Sequence, residues 1–157
     1  MAVDAAERLA VLFEGAPRFV ARLIAAGPKA SSVELLDRAE QVALAMPEEE
    51  QVELLDAHPR IGAAPAGMSA LSYREQGYDR DLGTAELKAR LVRLNDEYER
   101  RHGFRFVIFV AGRSRAEIAD VIEAHLDAPR PAELERGVRD VIAIARERAR
   151  RLEEERA

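Results

Sequence analysis

No cysteine occurs in the chain, which excludes disulfides, thiol catalysis and cysteine-bound metals together. Basic residues form no stripe except near the C-terminus, where acids are mixed in, and the net charge is -5. That balance argues against general nucleic-acid binding. No uninterrupted apolar run reaches membrane-spanning length. The opening Met1-Ala2-Val3-Asp4 lacks the basic-then-apolar build of a secretion signal, and Glu155-Arg156-Ala157 is not a peroxisomal address. A cytoplasmic protein with no nucleic-acid and no membrane partner is therefore expected. Internal repeats, linkers and low-complexity stretches are absent too. What remains is 157 residues, 48% hydrophobic and 34% charged. That length suits one domain, residues 1–157, able to bury about two-thirds of its unfolded surface.

The apolar spacing is helical almost throughout. Leu9, Leu12 and Phe13 recur at helical intervals until Gly15, and Pro17 opens a second run carrying Phe19, Val20, Leu23 and Ile24. Ser31 with Glu34 makes a capping box before Leu35, Leu36, Ala39, Val42 and Ala43. Glu48, Glu49 and Glu50 then fill the first turn of a fourth helix, where the dipole favours anions. Residues 61–69 read as a loop rich in small residues, and 72–76 as one or two helical turns. Thr84 caps a long helix with Leu87, Leu91, Leu94 and Tyr98 on one side, ended by Gly103. Ser114 with Glu117 opens another, and the last helix starts near Ala132 after Pro129 and Pro131.

Phe104-Arg105-Phe106-Val107-Ile108-Phe109-Val110 looks locally like a strand, but no second strand exists to pair with it. It reads instead as an extended or irregular buried segment. The expected fold is all-α, a single-domain bundle of about seven or eight helices with that irregular segment near 106–110.

Chemistry-bearing residues are few. The three histidines, His58, His102 and His125, show no metal-ligand spacing, so no metal is expected. His58-Pro59 stands out, because proline pushes the preceding residue out of the helical region and sets the imidazole at a rigid turn. His58 is either a helix C-terminal cation or a group that titrates near neutral pH in catalysis. Ser72, Glu75 and Gln76 stand at i, i+3, i+4, either a plate of hydroxyl, carboxylate and amide or a capping box. Arg148 falls among Val141, Ile144 and Leu152 in the last helix. It either snorkels to the surface or presents a fork to a carboxylate or planar polar ligand.

The order of these motifs resembles the 2-oxo-4-hydroxy-4-carboxy-5-ureidoimidazoline (OHCU) decarboxylase family. Its carriers are Gly15-Ala16-Pro17, Leu54-Leu55-Asp56-Ala57-His58-Pro59-Arg60-Ile61-Gly62, Ser72-x-x-Glu75-Gln76, Leu94-Asn95-x-x-Tyr98, Gly103-Phe104-Arg105-Phe106-Val107-Ile108 and residues 144–148. Together they span nearly the whole chain, and the His-Pro-x-Ile-Gly, Ser-x-x-Glu-Gln, Gly-Phe-x-Phe series is specific jointly.

The resemblance implies an all-α lyase that forms (S)-allantoin in urate degradation, works on a small-molecule substrate without a cofactor, and is a homodimer. It makes His58 the catalytic acid/base, with Glu75 fixing its tautomer or the ureido group, and Pro59 part of the pocket wall. Ser72 and Gln76 join Glu75 in a polar substrate clamp. The backbone of Phe106, Val107, Ile108, Phe109 and Val110 resembles a second clamp, and Arg148 the substrate-binding arginine. Lys29 and Lys88 are the only lysines, and neither lies in a motif. Three positions depart from the family: Arg18 replaces a tryptophan, His102 an aromatic residue and His125 an arginine. An inactive relative serving as a helical interaction module, or a hydrolase of a related ureide using His58 and Glu75 on water, are the competing readings.

Overall fold

Capping chemistry sets several of the helix boundaries. The computed structural model describes residues 8–27, 31–62 and 84–156, and every regular element among them is helical. Residues 8–12 are helical and are followed by α1 (Pro17–Ala25), α2 (Ser32–Ala45), α3 (Glu48–Asp56), α4 (Ala85–His102), α5 (Arg115–His125) and α6 (Arg130–Arg156). The hydroxyls of Ser31, Thr84 and Ser114 accept the backbone N–H of Glu34, Leu87 and Glu117 at 3.1–3.2 Å, satisfying donors that a helix start otherwise leaves open. Gly103 ends α4 in the left-handed region, φ 82°, as a C-terminal glycine does. The final helix begins at Arg130, two residues before the expected start. Pro131 then lies in the first turn, where its missing N–H removes no helical bond. No helix among the described residues is long and apolar enough to cross a membrane.

The chain divides into two compact units, Met1–Ala57 with Val138–Ala157, and His58–Gly137. In the first, Leu9, Leu12 and Phe13 are buried, and the Phe13 ring meets Phe19 of α1 edge-on at 4.8 Å. Gly15, at φ 79°, turns the chain between them, and a Cβ there would come within 3.2 Å of the Ala57 Cβ. Leu23, Leu36, Ala39, Ala43, Leu54, Leu55, Val138, Val141, Ile142 and Ala145 complete this unit's buried face.

The second unit is built on α4 and α5, with Ile118 and Ile122 fully buried on α5. On α4 the buried line is Leu91, Asn95, Tyr98 and His102, whereas Leu87 and Leu94 are only half-buried. A polar residue occupies the middle of that line because it has carbonyls to serve, as shown below. Residues 105–110 are neither helix nor strand. Phe104, Phe106, Val107, Ile108 and Val110 are buried and Phe109 is half-buried, so the strand-like composition serves burial rather than pairing.

Candidate active site

Two segments carrying predicted site residues meet in the second unit. His58, only 9% exposed, comes two residues after α3 ends, and its carbonyl accepts Arg105 Nη1 at 2.8 Å. Arg105 itself begins the irregular segment, so one guanidinium ties the His-Pro turn to the 106–110 backbone. Pro59 is half-buried next to it. The rest of the turn is docked on α4. Asn95 Nδ2 donates to the Ile61 carbonyl at 3.0 Å and to Leu91 O at 2.8 Å, while Arg60 pairs with Asp96 at 2.9 Å and Glu99 at 2.6 Å. Gly62 closes it at φ 85°, where a Cβ would come 3.1 Å from the Leu91 side chain. An imidazole on a turn held at both ends loses little freedom when it binds a ligand.

The 106–110 segment is gripped from α4 and α6. The Tyr98 ring is edge-on to Phe104 at 5.9 Å and to Phe106 at 5.1 Å, and the Arg136 guanidinium lies 5.0 Å over Phe106. Arg136 Nη1 donates to the Val107 carbonyl at 3.1 Å. Glu133, 2% exposed, accepts the Tyr98 hydroxyl at 2.7 Å and the Arg136 guanidinium at 3.2 Å. Burial first, and then the Glu133 carboxylate, push the Tyr98 hydroxyl well above its usual range, so it stays a donor. Further along, Arg113 Nη2 donates to the Phe109 carbonyl at 3.2 Å.

The segment ends in a turn through Ala111 (φ 51°) and Gly112 (φ 78°), closed by Arg113 N donating to Val110 O at 3.0 Å. A left-handed alanine costs about 1–2 kcal/mol. Ala111 is exposed, so nothing is lost by removing its methyl. Ala111→Gly is therefore expected to stabilise by about 0.5–1 kcal/mol net of glycine's extra unfolded-chain entropy, raising Tm by roughly 1–4 °C. Thermal unfolding followed by circular dichroism measures it.

Arg148 belongs to the first unit. It is 1% exposed, which overturns snorkelling, and its guanidinium contacts the Val11 and Leu12 carbonyls at 3.4 and 3.3 Å and Glu14 at 3.5 Å. Those carbonyls belong to the end of the first helical stretch, where a cation complements the dipole. Ser72, Glu75 and Gln76 lie outside the described residues.

The three departures from the family pattern each have a local partner. Arg18 forms an exposed pair with Glu53 at 2.5 Å. His102 is buried against Tyr98, ring centroids 4.4 Å apart, and takes an aromatic residue's place; its Nε2 lies 3.1 Å from the His125 carbonyl. Since a carbonyl only accepts, Nε2 carries the proton. It is thus a packed residue at the end of α4. His125 Nδ1 donates to Val121 O at 2.8 Å.

Sequence reasoning missed Asn95, Arg105, Glu133 and Arg136 as holders of the site. Asn95 stands between Leu91 and Tyr98 on an apolar face, so it signalled a buried hydrogen-bonding duty, whereas Glu133 has Pro129, Arg130, Arg136 and Gly137 at helical spacing and signalled none. Arg105 and Arg136 carried no such sign.

The profile of the OHCU decarboxylase family matches residues 2–150. The uric acid degradation bifunctional protein PucL of Bacillus subtilis (strain 168) is 30% identical over 142 residues, covering 89% of this chain and 28% of that protein. A protein of Haloferax volcanii named 2-oxo-4-hydroxy-4-carboxy-5-ureidoimidazoline decarboxylase is 27% identical over 134 residues, covering 85% of this chain and 80% of its own length. The crystal structure of an OHCU decarboxylase in the presence of (S)-allantoin superposes with a TM-score of 0.75 at 24% identity, over 91% of this chain and 94% of that one. That last likeness is one of fold.

Proposed function

Because the chain belongs to the OHCU decarboxylase family, we propose that it decarboxylates 2-oxo-4-hydroxy-4-carboxy-5-ureidoimidazoline to (S)-allantoin in urate breakdown. The observation that best supports this is His58, set on a docked turn that Arg105 links to the 106–110 backbone.

The substrate's departing carboxylate sits on a carbon beside a ring C=N. When the bond to CO2 breaks, its electron pair forms a new carbon–carbon double bond, and the C=N pair moves onto nitrogen, which takes a proton. The substrate is its own electron sink, so the reading needs no metal and no organic cofactor. The resulting enol must then lose its hydroxyl proton and gain one on the ureido-bearing carbon. An imidazole that titrates near neutrality can accept the first and donate the second. We assign that exchange to His58, with Glu75 fixing its tautomer or the ureido group. Pro59, Ser72 and Gln76 shape and hold the substrate, backbone groups at Phe106, Val107, Ile108, Phe109 and Val110 meet its polar ring edge, and Arg148 is the substrate-binding arginine. In this reading the protein is cytoplasmic, and the family resemblance makes it a homodimer.

Product analysis on substrate generated in situ from urate separates the reactions. Stoichiometric CO2 is expected. Ammonia or a ring-opened acid without CO2 would instead mark hydrolysis of a ureide.

A further inference from the structure

The 107–108 peptide of the 106–110 segment is held in direction by a side chain that is itself firmly fixed. Its carbonyl accepts Arg136 Nη1 at 3.1 Å. The peptide is planar and trans, so the Ile108 N–H of the same unit points the opposite way, away from Arg136. Arg136 is itself over-determined. Its Nε lies 3.2 Å from each Glu133 oxygen, its Nη2 3.2 Å from Oε1, and its plane rests over the Phe106 ring. Glu133 in turn is held by the Tyr98 hydroxyl, on a ring packed edge-on against Phe106 from α4. Three side chains from two helices thus grip one short, otherwise irregular piece of backbone.

A network of this kind exceeds what packing alone requires. Apolar residues of the same volume would fill the space without burying a carboxylate, and buried ion pairs often contribute no net stability. What a fork and a carboxylate supply that leucines cannot is direction, because a hydrogen bond weakens steeply when its angle is lost.

We propose that Arg136, oriented by Glu133 and Tyr98, is a positioning residue that sets the 107–108 peptide so that the Ile108 N–H is presented to the polar edge of the bound ureide. This inference rests on the decarboxylase reading and goes further, naming one donor and the side chains that aim it. In this role none of the three side chains need touch the reacting atoms.

The test uses the full-length protein with (S)-allantoin as the probe, read by amide NMR, alongside steady-state kinetics and thermal unfolding. In the wild type the Ile108 amide resonance is expected to move on titration with (S)-allantoin. Arg136→Met keeps the alkyl packing on Phe106 and removes the fork. It is expected to weaken (S)-allantoin binding and raise KM by about tenfold, with the Ile108 response lost. Arg136→Lys, which can still reach one carbonyl, should recover part of both. Tyr98→Phe keeps the ring contacts and removes only the hydroxyl, and should shift binding and KM the same way by about threefold; it carries the test if Arg136→Met does not fold. A lowered Tm with Kd and KM within twofold of wild type would show a purely structural network and overturn the proposal. So would an Ile108 amide that ignores (S)-allantoin in an active wild type. A wild type that neither releases CO2 nor binds (S)-allantoin removes the decarboxylase reading itself, and this proposal with it.

Discussion

Replacing His58 by Asn is expected to lower kcat/KM by about 10²–10⁴-fold, the usual worth of a positioned general acid/base. Asn preserves much of the side chain's size and its place before Pro59, where a turn conformation suits it. The backbone contact to Arg105 comes from the His58 carbonyl, which the substitution leaves intact. Tm should therefore stay within a few degrees of wild type, and loss of activity would report the imidazole itself. A folded His58→Asn protein that converts fresh substrate at the wild-type rate would remove His58 from the mechanism.

Arg148→Met separates the structural contacts Arg148 makes from the substrate-binding role proposed for it. The buried guanidinium serves the Val11 and Leu12 carbonyls and Glu14. Hydrogen bonds from a charged group are worth about 1.5–3 kcal/mol. Their contact distances of 3.3–3.5 Å lie at the long end of the range, which favours the lower figure. Met fills most of the volume without a donor, so a loss of about 1.5–2 kcal/mol is expected. Tm should fall by roughly 3–8 °C for a chain of this size. If Arg148 also binds substrate, KM rises by about tenfold or more, and Arg148→Lys recovers little because it lacks the planar fork. A lowered Tm with an unchanged KM would leave Arg148 as a structural cation only.

Helix limits were legible wherever a single residue's own chemistry set them. Ser31, Thr84 and Ser114 cap because a short hydroxyl reaches the N–H three residues on, and Gly103 adopts the left-handed conformation because it has no Cβ. The 104–110 segment was legible for a different reason: a strand needs a partner, and none was available. The apolar neighbours of Arg148 left snorkelling and a buried fork both open, and its 1% exposure and its partners came only with the fold. The contacts that build the site escaped because they join residues far apart in sequence. Arg105 reaches His58 across 47 positions, Arg136 reaches Val107 across 29, and Tyr98 reaches Glu133 across 35. Neither periodicity nor propensity registers such pairs. Only Asn95, a polar residue on the apolar face of Leu91 and Tyr98, pointed toward such a contact.

The chirality of allantoin formed from substrate generated in situ from urate is the most direct measure of the central claim. Unassisted decay gives racemate, so an excess of one enantiomer requires a proton delivered to one face. The wild-type protein is expected to release CO2 faster than the protein-free solution and to yield (S)-allantoin in excess, with both effects lost in His58→Asn. Racemic allantoin formed at the protein-free rate would contradict it.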